Sequence, residues 1–274
     1  MSAVTLSPKF SFSVPVYAPC ISPDAFAGKT KDEISRLEVW EGKFRRSLGD
    51  LFRIDGEPAA SPEETRVRLV GDFRKVRKVG FGMTAGGIVV EGSIGMHLGE
   101  RMAGGSIRVH GDAGPWLGSG MRGGVIEVDG NAGDYVASAY RGSRGGMSGG
   151  TIIIHGNAGS DLGNWMRGGL IRVDGDVGTY VGVRMRGGTI LVRGNAGERA
   201  GALMLRGKIV ICGSIPSTLP SFSIQELRRS VKVAGEVVEG PFYLFQGDLT
   251  EGGEGRLFIS KPSNPHLAYY ERYL

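Results

Sequence analysis

The sequence predicts an all-β chain: a right-handed parallel β-helix of about eight coils, with non-repeating extensions at both ends. The first observation behind this is a phrase, apolar-x-apolar-x-Gly followed by Asp, Asn or Ser, that returns eight times between Val67 and Gly213. It reads VRLVGD at 67–72, IRVHGD at 107–112 and ILVRGN at 190–195. The second is spacing. The phrase glycines Gly71, Gly92, Gly111, Gly130, Gly156, Gly175, Gly194 and Gly213 lie 21, 19, 19, 26, 19, 19 and 19 residues apart, a 19-residue unit with insertions in the first and fourth intervals. So short a period marks a solenoid, whose units bury their apolar faces against their neighbours. The third is length: nineteen residues at about 3.3 Å each trace a perimeter of roughly 60 Å, which suits a three-sided coil filled by side chains.

Residues 1–66 are expected to form an N-terminal arm and cap. The first twenty alternate apolar and polar residues and carry three prolines, which favours an extended arm over a helix. A helical turn is expected at Ser22 to Phe26, strand-like pieces at Ile34 to Trp40 and Leu51 to Asp55, and a turn at Pro58 to Glu64. Open ends of a solenoid have to be covered, and a small β-rich cap over the first coil is the natural use of this segment.

Residues 67–213 are the repeats. Two and four positions before each phrase glycine every residue is apolar, giving one inward column from Val67 and Ile88 to Ile209 and a second from Leu69 and Val90 to Ile211. Strict alternation of β-branched residues is the signature of a half-buried strand. Met102, Met121, Met147, Met166, Met185 and Met204 stand nine positions before the glycine, where a methionine stripe fills core. Gly-Gly pairs precede most strands and read as corners. After each strand comes G-x-x-G-x-x-x-G, as in GDAGPWLG at 111–118, with Ala137 in place of the last glycine in the fourth copy.

Residues 214–274 abandon the period and are expected to be a docking extension. Ser223 to Val231 reads as a short helix capped by Ser223 and Glu226. A strand-like stretch rich in glycine turns follows, and then the aromatic tail Tyr269, Tyr270 and Tyr273.

Composition limits the functions open to this chain. No apolar run approaches the roughly 18 residues of a membrane-spanning helix, and no leader is evident at the N-terminus, so a cytoplasmic location is expected. Cys20 and Cys212 are far apart and form no metal-ligand cluster. A net charge of +5, with 24 arginines against 9 lysines, favours anionic partners and bidentate recognition of carboxylate or phosphate. A nucleic-acid binder would need interleaved aromatic platforms that the pattern lacks.

Two outward columns carry polar chemistry. Directly before each phrase glycine stand Val70, Glu91, His110, Asp129, His155, Asp174, Arg193 and Cys212. Coils about 4.8 Å apart would turn this alternation into a ladder of cross-coil pairs, with His110 between Glu91 and Asp129 and His155 between Asp129 and Asp174. A registry role is the expectation; an autonomous site around His110, Asp129 and His155 is the alternative. Three positions before the glycine, half of the residues are apolar, suited to covering by a partner or by the C-terminal segment. The second polar column is basic. Arg122, Arg167, Arg186 and Arg206 precede the glycine corners, and with Arg141 and Arg144 of the inserted YRGSRGGM they are the candidates for binding an anionic ligand or partner. There is no G-x-S-x-G, H-E-x-x-H or P-loop, and no catalytic or metal-binding residue is assigned.

With its repeated G-x-x-G-x-x-x-G, Met-Arg-Gly-Gly and I-x-V-x-G, the chain resembles the GXGXG β-helix family. That family includes the C-terminal domain of the large glutamate synthase subunit and the C subunit of formylmethanofuran dehydrogenase. The tail FYLFQGDLTEGGEGRLFIS at 242–260 extends the resemblance towards the latter. It implies a non-catalytic scaffold in a larger complex that handles formyl groups on methanofuran or methylofuran, a carrier not bound as this chain's own cofactor. The methylotroph version is the formyltransferase/hydrolase complex, and the arginine-rich composition leans towards it. Implied partners are an amidohydrolase-like subunit, a formyltransferase subunit and a further small subunit. The arginine column would hold the glutamate-rich tail of the carrier.

Overall fold

The computed structural model describes residues 3–274. Apart from short helices at Pro23–Phe26 (α1), Lys31–Ser35 (α2) and Leu48–Leu51 (α3) and two 3-10 turns near the C-terminus, its regular structure is strand. The chain is all-β.

Strands β1 (Ala3–Pro8), β2 (Val16–Tyr17), β3 (Glu38–Glu41), β4 (Phe44–Ser47) and β5 (Phe52–Asp55) precede the repeats. The repeats then supply β6 (Arg66–Leu69), β7 (Val76–Arg77), β8 (Gly87–Val90), β9 (Ser106–Val109), β10 (Val125–Val128), β11 (Thr151–Ile154), β12 (Leu170–Val173), β13 (Arg186–Val192) and β14 (Arg206–Ile211). With the exception of β7, each of these pairs in parallel with the next, and equivalent residues face one another: Ile88 with Ile107, Ile107 with Ile126, Ile171 with Ile190. Both aliphatic columns are at most 2% exposed and the methionine column is wholly buried. Those columns explain the register, because a slip of one residue would turn every one of these side chains to the other face.

Two further ladders tie the repeats together. Phe73, Ile94, Ala113, Ala132, Ala158, Val177 and Ala196 form a row of parallel bridges. Farther along each unit, backbone N–H groups donate to the unit before, as from Gly118 to Leu98 and from Gly182 to Leu162, both at 2.8 Å.

At the N-terminal end β1 lies parallel to β6 and antiparallel to β5, so the first repeat presents no bare edge. The helical turn expected at Ser22 to Phe26 is α1, with Ser22 Oγ accepting from the Ala25 N–H. The strand expected from Ile34 begins only at Glu38. Thr30 and Glu33 form a capping box that starts α2, and Ile34 is its buried residue.

The helix expected at Ser223 to Val231 is a strand, β15 (Ser223–Val233), paired antiparallel with β16 (Glu236–Gly247). Ile224, Val231 and Val233 are buried, and Ala234-Gly235 turns the hairpin at positive φ, so tertiary pairing outweighs a local cap signal. β17 (Gly255–Ser260) joins β16 to β14. Here the last two apolar residues of the outer column find their cover, while Val89 and Ile153 stay half-buried outside it. Leu191 and Val210 are buried beneath Val231, Val233, Val238, Phe242, Leu244 and Phe258.

Candidate functional site

The outward polar ladder forms, with a different wiring from the simple one-column expectation. His110 Nδ1 lies 2.8 Å from Asp129, as expected, and His155 Nδ1 lies 2.8 Å from Asp174. The other ring nitrogen of His155 meets Glu127, not Asp129, and Glu91 pairs with Arg68, not His110. Residues two apart on a strand share a face, so the column that holds Arg68, Arg108, Glu127 and Arg172 supplies half of the partners. Arg108 bridges Glu127 and Asp129, and Arg172 and Arg193 converge on Asp174. His110 and Asp129 thus pair with each other, while His155 is held by Glu127 and Asp174. Among the described residues no three His, Cys, Asp or Glu side chains converge to hold a metal ion.

A concave site lies elsewhere, on the corner that follows the bridge row. Five residues beyond successive phrase glycines stand His97, Trp116, Tyr135, Asp161, Tyr180 and Arg199, all with φ near +60°. Within this left-handed row His97, Trp116 and Tyr135 stack on one another across successive repeats, and Arg199 lies over the Tyr180 ring. Trp116 lies 4.4 Å from Tyr135 and 6.0 Å from His97, at interplanar angles of 12° and 16°. Tyr140, from the insertion, adds its ring at 4.8 Å from Trp116.

Tyr140 is anchored from below. Its hydroxyl donates to Glu100, which is 2% exposed and also meets Lys78 at 2.5 Å and His97 at 3.2 Å. Burial alone would raise the Glu100 carboxyl, but the hydrogen bonds from His97, Lys78 and Tyr140 prevail and hold it at about 2. Tyr140 is itself pushed up, by burial and then by the Glu100 carboxylate. The insertion that breaks the 19-residue period is therefore fixed in place.

Beside this stack is a cavity of about 470 Å³, lined by Trp116, Tyr135, Tyr140, Arg141, Arg144, Asp161, Asn164, Trp165 and Arg184. A second, of about 370 Å³, shares Asp161 and Arg184 and continues to Tyr180, Arg199 and Leu203. Trp165 has the guanidinium carbons of Arg186, Arg144 and Arg184 at 4.8, 5.5 and 6.0 Å from its ring centre.

All six predicted arginines are exposed, and none has a carboxylate within ion-pair distance among the described residues. The structure brings Arg144 and Arg186 together on Trp165 and puts Arg141 in the same cavity wall. Arg167 borders the insertion near Gly145. Arg206 pairs in register with Arg186 across β13 and β14. Arg122 stands apart from the cavity. The sequence reading missed Arg184, Arg199, Asn164, Trp165 and the aromatic stack. The signal was available: Trp116, Tyr135 and Tyr180 share one repeat position, and Trp165 and Arg184 share another.

Burial pushes the Cys20 thiol up to about 12 and raises that of Cys212, so neither is a ready nucleophile. Among the described residues no helix is long and apolar enough to cross a membrane.

No family model matches the chain. Over 99 residues it is 42% identical to the C subunit of the tungsten-containing formylmethanofuran dehydrogenase 2 of Methanothermobacter wolfeii, covering 36% of this chain and 37% of that protein. Over 98 residues it is 42% identical to the C subunit of the molybdenum-containing formylmethanofuran dehydrogenase 1 of Methanosarcina barkeri, covering 36% of this chain and 33% of that protein. The match thus spans about a third of the length of these curated relatives. Among solved structures it superposes on a chain of the formyltransferase/hydrolase complex from Methylorubrum extorquens, crystallised with methylofuran. The TM-score is 0.82 and the identity 31%, over 93% of this chain and 99% of that one.

Proposed function

Since the chain belongs to the family of formylmethanofuran dehydrogenase C subunits, we propose that it is a non-catalytic structural subunit of a formyltransferase/hydrolase-type complex of one-carbon metabolism. The observation that carries this reading is the near end-to-end match to a chain of such a complex. In this reading residues 67–213 are a right-handed parallel β-helix, residues 1–66 its cap and residues 214–274 a docking extension. Its partners are an amidohydrolase-like subunit, a formyltransferase subunit and a further small subunit, and the chemistry resides in them. The carrier is of the methylofuran type, and the exposed arginines hold its acidic tail or an acidic partner.

Two features support a scaffold over an autonomous enzyme. The His110, Asp129 and His155 row is satisfied by its own neighbours, and the two thiols are held in their neutral form. Native purification tests the proposal: the chain should co-elute with its partner proteins, and a stable monomer carrying no partner would overturn it. In the isolated complex, His155→Ala should lower thermal stability and leave turnover intact. Loss of turnover without loss of stability would favour the enzyme reading.

A further inference from the structure

We propose that the cleft between the C-terminal hairpin and the outward face of β14 and β17 binds a phosphate group, free or carried as a monoester by a small molecule. It shares no lining residue with the cavities beside Trp165 and plays no part in the scaffold reading.

The register of the sheet puts two like charges together. Lys208 and Arg256 are paired residues of β14 and β17, so their side chains stand on one face at the strand spacing of about 4.8 Å. Val210 and Phe258, two positions on, lie in the cluster beneath the hairpin, which makes that face the outward one. Like charges directly opposite one another destabilise a sheet. Burial and then the Arg256 charge pull the Lys208 pKa down.

The hairpin fixes this pair and walls it in. Lys208 Nζ donates at 2.7 Å to the carbonyl of Lys232 on β15, which leaves two N–H groups of the ammonium for another acceptor. The cleft has a volume of about 360 Å³, and Lys232, Ser230, Gln246 and Phe258 complete its wall. Its lining holds one carboxylate, Glu226, already paired with Arg228 at 2.7 Å. Lys208, Lys232 and Arg256 thus face the cleft with no carboxylate in ion-pair distance among the described residues.

A phosphate group matches this arrangement better than a carboxylate does. On an ester it carries a charge of about −1.5 to −2 at pH 7 and three strong acceptor oxygens. A carboxylate brings a single charge, which leaves one of the two opposed cations uncompensated. One phosphate accepts from the Lys208 ammonium and from the guanidinium edge of Arg256 together. Ser230 and Gln246 add neutral donors. The volume lies in the range of small-molecule sites, so an organic group has room beside the phosphate.

Calorimetric titration of the full chain at low salt tests this, with inorganic phosphate and glycerol 3-phosphate as probes and acetate and malonate as comparisons. The better phosphate probe should bind more tightly than either carboxylate. If that probe is glycerol 3-phosphate, the cleft takes a phosphomonoester; if it is inorganic phosphate, the free ion. Arg256→Gln and Lys208→Gln should each weaken binding by about tenfold or more, the usual loss for a charge-assisted contact. Arg36→Gln, in the N-terminal cap, should leave it unchanged. Lys208→Gln also removes the tether to the hairpin, whereas Arg256 makes no side-chain hydrogen bond among the described residues, so Arg256→Gln gives the readout in an intact fold. The phosphate probe should also raise the melting midpoint of the unsubstituted chain more than that of Arg256→Gln. Absence of binding by both phosphate probes, equal or tighter binding of malonate, or an equal effect of Arg36→Gln would overturn the proposal.

Discussion

His155 and Asp174, nineteen residues apart, meet at 2.8 Å across β11 and β12, and the far side of the same imidazole lies 2.8 Å from Glu127. A ring that faces a carboxylate at each nitrogen donates from both only when protonated. The Glu127 hydrogen bond and then the Asp174 one accordingly raise the His155 pKa above its usual 6.5.

A pH dependence follows from that elevation. Protonated His155 stabilises the folded chain most fully below the unfolded pKa, and the contribution is lost as pH rises through the folded value. Melting midpoints should therefore decline from slightly acid to alkaline pH, and His155→Gln should flatten that part of the profile. The side chain is 39% exposed, so screening keeps the effect below about 1 kcal/mol. An identical slope in the variant would show that other groups carry it.

The repeat shows how much of this architecture can be read from residues alone. Val67, Leu69 and their successors lie inside because period-two alternation leaves them no other face, and Met166 is buried at a position that every repeat from Met102 onward gives to methionine. Ser223 to Val233 misled because a cap signal is local, whereas pairing with β16 is decided by residues farther along the chain. The cavity beside Trp165 was half legible. Arg144 and Arg186 stood out by position, but their meeting on Trp165 depends on how an insertion folds back over a different corner. The link from Tyr140 to Glu100 spans forty residues and leaves no local pattern.

That link gives a second pH prediction, of opposite sign. Glu100 is depressed from 4.5 to about 2, so its contribution is present above the unfolded value and disappears as pH falls towards 2. The shift corresponds to stability on the order of 3 kcal/mol at neutral pH. Glu100→Gln should lower neutral-pH stability by about that amount, since Lys78 is left without its counter-charge. Tyr140→Phe should cost about 1–2 kcal/mol, the loss of one hydrogen bond to a charged group. Denaturant melts at pH 7 and pH 3 check both, and equal losses at the two pH values would contradict the assignment to Glu100.

Beneath the C-terminal hairpin, Phe242 is 1% exposed and packs in the cluster that covers Leu191 and Val210. Phe242→Ala should destabilise the chain by about 3–5 kcal/mol, as for other buried aromatics cut back to Ala. Protease should then cut first within the hairpin, and mass spectrometry of the fragments would locate the cut. Cutting confined to residues 1–66 would show that the hairpin is held by something other than this cluster.

Phrase glycines that look alike in sequence should respond differently to the same change. A Cβ on Gly194 would lie 2.5 Å from the carbonyl oxygen of Gly175, backbone that cannot retreat without breaking the ladder beside it. A Cβ on Gly92 would meet only the Gly71 carbonyl oxygen, at 3.6 Å, an ordinary contact, and φ is not positive there. The difference coincides with the longer interval of 21 residues that leads to Gly92. Gly194→Ala should therefore cost about 1–3 kcal/mol, the range for forcing an extra methyl into a packed interior. Gly92→Ala should change stability by no more than about 0.5 kcal/mol, as at sites without such a clash. Chemical denaturation of the two variants side by side is the check. Equal losses would mean that these glycines serve backbone freedom at every phrase and not close approach between repeats.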